Sequence, residues 1–283
     1  MAEGARQDWS GVILRVAVYA GLALAGMVIF GWVASFWGYL AAGALGTFLG
    51  AAAANSLMMS IFERASLAHI GLLWNEASAR NLLLGLAGGV GAACLVLAPC
   101  LAAGVAVWRP APGEASGADA ILFLAVLLLF GAVGEEMLFR GYGFQVLLAR
   151  LGPYATILPV SVLFAFAHAG NLNITALALG NTALWGVLLG YAFLRSRDLW
   201  LPIGLHFGWN FTLPLFGVNL SGFTMRVTGY AVEWNVGPLW SGGAYGPEGG
   251  LLTCLALGAL FVYLRRAPVR RQTAWLLEGR ERS

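Results

Sequence analysis

The strongest constraint on this chain is the recurrence of apolar stretches about as long as a bilayer is thick. A membrane-crossing helix needs roughly 20 mostly apolar residues, because every backbone N–H and C=O must be satisfied within the segment. Eight stretches meet that measure, near residues 11–35, 37–60, 81–108, 119–147, 153–170, 173–194, 199–217 and 249–266. The expected fold is all-α, a polytopic membrane helix bundle of about eight transmembrane helices. Only 10% of the chain is charged and 60% is apolar, whereas soluble domains carry about 25% charged residues. Such a chain cannot cover a water-facing surface, which excludes a cytosolic enzyme, a disordered tail protein and a nucleic-acid binder. The first stretch is too long for a signal-peptide core and lacks a small-residue cleavage site, so it is expected to be retained. Cys94, Cys100 and Cys254 sit in apolar stretches without CxxC spacing. They read as packing residues rather than a disulfide framework or zinc knuckle.

The arginines give the orientation. With eight crossings both termini share a side, and the C-terminal tail carries Arg265, Arg266, Arg270, Arg271, Arg280 and Arg282. Placing that tail in the cytoplasm brings Arg6, Arg15, Arg64, Arg80, Arg150, Arg195 and Arg197 to the same side and leaves Arg109 and Arg226 outside. This asymmetry is the positive-inside pattern. The expected location is the cell (plasma or inner) membrane, multi-pass, with both termini cytoplasmic. Residues 61–80 read as an interfacial segment and 218–248 as an outer loop. Gly46/Gly50, Gly85/Gly89, Gly186/Gly190 and Gly204/Gly208 have the small-xxx-small spacing that lets helices approach closely.

Ionisable groups at membrane depth are costly and usually functional. Eleven of the thirteen acids fall in loops, tails or span ends, Asp198 and Glu248 among them. The other two are adjacent, in GEEMLFRGYGFQ. Glu136 and Arg140 are four apart and can pair on one helix face. Glu135 points about 100° away, with Leu138 and Phe139 at i+3 and i+4. The pair Glu136–Arg140 is expected to cancel its charges inside the bundle, directed away from any cavity. Glu135 is left as a free, desolvated carboxylate, the kind of group that serves as a general base. The alternative is that all three lock helices together or sit at the cytoplasmic rim.

Of the three histidines, His69 lies in the interfacial segment and reads as solvated. His168 follows Phe164 by four residues, and His206 precedes Asn210 by four. On the seventh stretch His206 and Asn210 lie roughly 160–200° from Gly204 and Gly208, so they face something other than the close-packed contact. A carboxylate, a histidine and a His–Asn pair on three helices can build a hydrolytic site. The first two hold and deprotonate a water, and the pair stabilises the oxyanion.

EExxxR at Glu135–Arg140, FxxxH at Phe164–His168 and HxxxN at His206–Asn210 together resemble the CAAX protease and bacteriocin-processing family of intramembrane endopeptidases, over residues 119–217. The resemblance implies that Glu135 is the catalytic carboxylate, His168 its water-binding partner, and His206 with Asn210 the oxyanion site. Glu136, Arg140 and Phe164 are then supporting residues. Three regions follow: N-terminal helices 1–118 with the interfacial segment, a catalytic core 119–217, and 218–283 with the outer loop, last helix and Arg-rich tail. The implied partners are the lipid bilayer and a peptide or membrane-protein substrate, with no nucleic acid. No GxSxG or HExxH is present for serine or zinc protease chemistry. No cofactor is expected. Zinc is the runner-up, with Glu135, His168 and His206 as metal ligands and a fourth position open, although that scheme leaves Asn210 without a task. Outside proteolysis, the same cluster could serve a binding or immunity scaffold, or a transporter. The absence of internal repeats argues against the transporter.

Overall fold

The computed structural model describes residues 9–111 and 117–278. Of the residues used above for orientation, Arg6, Arg280 and Arg282 lie outside the described residues. Apolar segments cannot leave backbone polar groups unpaired in lipid, and helices pair them locally. In chain order these are α1 (Trp9–Ala34), α2 (Tyr39–Met58), α3 (Glu76–Ala102), α4 (Ala118–Arg140), α5 (Tyr142–Leu151), α6 (Pro153–Ala167), α7 (Ala176–Ser196), α8 (Trp200–Leu215), the single turn α9 (Pro238–Ser241), α10 (Leu251–Arg266) and the single turn α11 (Trp275–Glu278). The chain is an all-α membrane helix bundle. Among the described residues the only strands are β1 (Ala106–Pro110) and β2 (Tyr230–Trp234), paired antiparallel with Arg109 opposite Ala231. The third apolar stretch therefore ends its helix at Ala102, and its last residues enter β1 instead.

Five helical stretches are long and apolar enough to cross a membrane: Trp9–Trp37, Tyr39–Glu63, Glu76–Ala102, Ala118–Leu151 and Ala176–Ser196. The other three expected spans are shorter, at 15 residues for α6 and 16 each for α8 and α10. Of the eight stretches expected to span, five therefore meet that length and three are shorter. The eight helices exist, but α6 stops before His168, and a glycine pair precedes α10. Helix α8 is largely buried in protein, from Leu201 to Pro214, so lipid thickness does not set its length.

Close backbone contact holds α8 in place. Gly204 and Gly208 face Gly85 and Gly89 of α3, and a Cβ on Gly208 would lie 2.8 Å from the Leu86 carbonyl oxygen. Gly46 and Gly50 of α2 meet Gly31 and Gly26 of α1, while Gly186 and Gly190 of α7 meet Ser161 and Ile157 of α6. All four glycine pairs are helix contacts. Around them one apolar core joins α3, α7, α8 and α10, and a second joins α1, α2, α5 and the start of α8.

The two ends of the bundle differ in charge. At the β1–β2 end, Arg109 pairs with Glu233 at 3.0 Å. At the opposite end, Arg195 donates to the Arg265 and Ala267 carbonyls, Arg80 to the Pro268 carbonyl, and Arg270 pairs with Glu76. There the chain after α10 folds back over a buried Asp198. Asp198 accepts from Asn81 Nδ2 (2.7 Å), the Leu201 amide (3.2 Å) and Gln272 Nε2. Burial pushes its carboxyl above the ordinary aspartate value, against the lowering effect of these donors. His69 contacts Ser66 Oγ at 2.9 Å and the edge of Trp275.

Candidate active site

The GEEMLFRGYG segment does not run as one helix. Helix α4 ends at Arg140, and Gly141 turns the chain into α5. A break at this depth frees backbone groups that need new partners. Asn55 supplies several: its Oδ1 accepts from the Tyr142 amide (2.8 Å) and its Nδ2 donates to the Met137 carbonyl (3.1 Å). The Tyr19 hydroxyl donates to the Met137 or Leu138 carbonyl, each at 2.9 Å, and Gln145 Nε2 donates to the Arg140 carbonyl. A Cβ at Gly141 would collide with the Met137 carbonyl and Asn55. The turn that follows the two glutamates is thus fixed by α1 and α2, elements outside the motif.

The adjacent carboxylates diverge as helix geometry requires. Glu136 is fully buried, and its Oε1 accepts from Arg140 Nη1 at 3.1 Å. Arg140 also donates to the Gly186 carbonyl (3.1 Å) and lies over the Phe164 ring at 4.9 Å. Glu135 faces the other way, into a cavity of ≈ 290 Å³ lined also by Phe164, His168, His206 and Asn210. Its Oε2 lies 3.7 Å from His168 Nε2 and 3.8 Å from His206 Nε2. The four expected catalytic residues share one cavity. Glu136 pairs with Arg140 and does not line it.

Two features of this geometry were not legible beforehand. First, Glu136 Oε1 also lies 2.9 Å from His206 Nδ1. With Arg140 against it Glu136 is an acceptor, so Nδ1 carries the proton and Nε2 is aimed at Glu135. Second, His168 Nδ1 lies 2.8 Å from the Phe164 carbonyl. A carbonyl only accepts, so His168 donates from Nδ1 and turns its Nε2 toward the cavity. That carbonyl is available because α6 ends at Ala167, and the last carbonyls of a helix have no intrahelical donor. FxxxH therefore matters partly through backbone. The Phe164 ring also packs edge-on to Phe139 and against His168, with centroids 5.1 and 4.7 Å apart. The Asn210 amide makes no hydrogen bond with the described residues. Glu135 Oε2 likewise has no partner within hydrogen-bond distance.

Residues 117–212 match the type II CAAX prenyl endopeptidase Rce1-like family. That segment is similar to this protease family. The matched segment contains Glu135, Glu136, Arg140, Phe164, His168, His206 and Asn210. It is set among five apolar helical stretches long enough to cross a membrane. No curated protein and no solved structure matches the chain.

The cavity extends past these motifs. Trp185 of α7, Trp209 of α8, Ser221 and Glu248 also line it. Trp209 could have been found, since it follows His206 by three residues on the same helix face. Glu248 could not, because its position in a Gly-rich loop sets it among the solvated acids, whereas it is only 9% exposed. Among the described residues, no group of three or more His, Cys, Asp or Glu side chains is disposed to hold a metal ion.

Proposed function

We propose that the chain hydrolyses peptide bonds of membrane-associated substrates by a glutamate-type mechanism without a metal. The observation that carries this reading is the approach of two histidine Nε2 atoms to one unpartnered Glu135 oxygen, at 3.7 and 3.8 Å. These separations exceed a direct hydrogen bond, and they suit a water oxygen reaching each atom from outside their line. Glu135 and the neutral Nε2 of His168 are both acceptors, so the water gives a hydrogen to each and turns a lone pair toward the substrate carbonyl.

Attack forms the C–O bond and passes the water proton to Glu135. The carbonyl oxygen becomes an oxyanion, which receives hydrogen bonds from His206 Nε2–H and Asn210 Nδ2. His206 acts here as an imidazolium, its Nδ1–H held by Glu136, and the charges of Glu135, Glu136, Arg140 and His206 then balance. Collapse breaks the C–N bond, and Glu135 returns its proton to the leaving amine. Glu136 and Arg140 position His206 and touch no substrate.

The charge difference between the bundle ends supports an orientation with the C-terminal tail in the cytoplasm and the 218–248 loop outside, in the cell membrane. Hydrolysis of a detergent-solubilised membrane peptide by the purified full chain tests the reaction class. Cleavage unaffected by chelator is the expected result. Activity abolished by chelation and restored by zinc would recast Glu135, His168 and His206 as metal ligands, and no cleavage of any peptide would remove the enzyme reading.

A further inference from the structure

The cavity that holds Glu135 is lined also by Trp185, Trp209, Ser221 and Glu248. Glu248 Oε1 accepts from the Trp209 indole N–H at 3.1 Å, and Oε2 accepts from the Ser221 amide (2.6 Å) and hydroxyl (2.8 Å). All three donors are neutral. Buried Glu136 has Arg140 and partly buried Glu63 has Arg15, whereas Asp198, like Glu248, is held by neutral donors alone, and only Glu248 of these two lines the cavity. Among the described residues no ion pair includes Glu248. An anion removed from water without a counter-charge is costly, and a cation arriving from outside would relieve that cost.

The surroundings suit a cation in a second way. The Trp185 and Trp209 rings pack at 5.1 Å between centroids, tilted by 55°, and aromatic faces attract ammonium and guanidinium groups. The two indoles also differ in their N–H groups. That of Trp209 is taken by Glu248, while that of Trp185 is buried with no acceptor. A buried donor without a partner calls for an explanation, and a peptide carbonyl carried in with the cation is an acceptor of the right kind.

We propose that Glu248, Trp185 and Trp209 form a specificity subsite that receives a lysine or arginine side chain of the substrate peptide. Its place relative to the chemistry follows from α8. His206 faces Glu135, and Trp209 is three residues further on, about 4.5 Å along the axis. An extended peptide advances about 3.3 Å per residue, so the basic residue sits one or two positions from the scissile bond. The inference rests on the endopeptidase reading only in taking the ligand to be a peptide.

Binding can be measured apart from cleavage. Fluorescein-labelled decapeptides of Ala and Leu, carrying one Lys or one norleucine at each position in turn, would be titrated against the full chain bearing Glu135→Gln. Fluorescence anisotropy gives the affinities. At the best position the Lys peptide is expected to bind at least about tenfold more tightly than its norleucine twin. Adding Glu248→Gln should bring the ratio near one, and adding Trp185→Leu should reduce it several-fold. If Glu248 only fastened the loop to α8, both peptides would weaken together with the ratio unchanged. That result, equal affinities from the start, or no binding of either peptide would overturn the subsite. Wild-type cleavage of the same peptides separates the two readings. Lys-selective binding without cleavage would defeat the protease alone, and cleavage indifferent to Lys would defeat the subsite alone.

Discussion

Asp198, in the turn between α7 and α8, and the Glu135–Glu136 pair, on α4, are carboxylates drawn into the bundle, and the two regions are finished differently. Around Asp198 both oxygens are occupied, by Asn81, Leu201 and Gln272, and Ser196 Oγ bonds its backbone. Around the pair, Glu135 Oε2, Glu136 Oε2 and Arg140 Nε have no hydrogen-bond partner, although Arg140, His168 and His206 stand close by. A fully satisfied buried network fixes a structure, because each member restrains the others. An incomplete one in a cavity keeps capacity for a molecule that is not part of the chain. Burial alone therefore does not separate function from structure in this membrane protein. At Glu135 the unused capacity lies inside the cavity, beside two histidines, which is where the proposed chemistry needs it.

The contrast can be broken experimentally, and the largest effect should come from Arg140. Arg140→Met strands the buried Glu136, and removing one partner of a buried pair costs about 3–5 kcal/mol. Unfolding in mixed micelles should show this loss, with much of it recovered in the double variant Glu136→Gln/Arg140→Met. Stability unchanged in Arg140→Met would mean the pair is not held as described. Next, Asn210→Ala should lower kcat by about 10²–10³-fold, the worth of one oxyanion donor, with unfolding unaffected because its amide bonds to none of the described residues. A Tm drop matching the activity loss would place Asn210 on the structural side.

Asp198→Ala sharpens the comparison from the other region. It leaves the Asn81 and Gln272 amides facing an apolar gap, and about 1–3 kcal/mol of stability should be lost, with kcat unchanged in whatever remains folded. The smallest effect is the pH dependence of the same group. Its native pKa lies above the unfolded value of about 3.9, so the folded state holds the proton more tightly. The stabilisation is complete below that unfolded value and declines as pH rises through the native one. Asp198→Asn should flatten that part of the stability profile. A slope of the opposite sign would mean that its hydrogen bonds outweigh burial.

Much of this was legible in the sequence, for physical reasons that also mark where reading stops. Bilayer thickness sets a length scale, so the positions of the helices could be found, and glycine spacing marked faces that pack closely but not which helices they meet. Helix periodicity separated Glu135 from Glu136, because both lie on one rigid element. What joins different elements was hidden. The Glu136–His206 bond spans α4 and α8, and Asn55 and Tyr19 secure the Gly141 turn from α2 and α1. Length also misled: continuous hydropathy over 119–147 concealed the break between α4 and α5, and loop position concealed the burial of Asp198 and Glu248.

The central claim is that Glu135 is the proton acceptor of a cavity whose fold does not depend on its charge. Glu135→Gln keeps the size of the side chain and removes the basic oxygen, so hydrolysis and unfolding measured on the same purified variant separate the two roles. The account predicts that turnover falls by about 10²–10⁴-fold, the usual worth of a general base, while the unfolding transition stays where it is or moves up. Retained turnover, or a loss of activity that tracks a collapse of the fold, would contradict it.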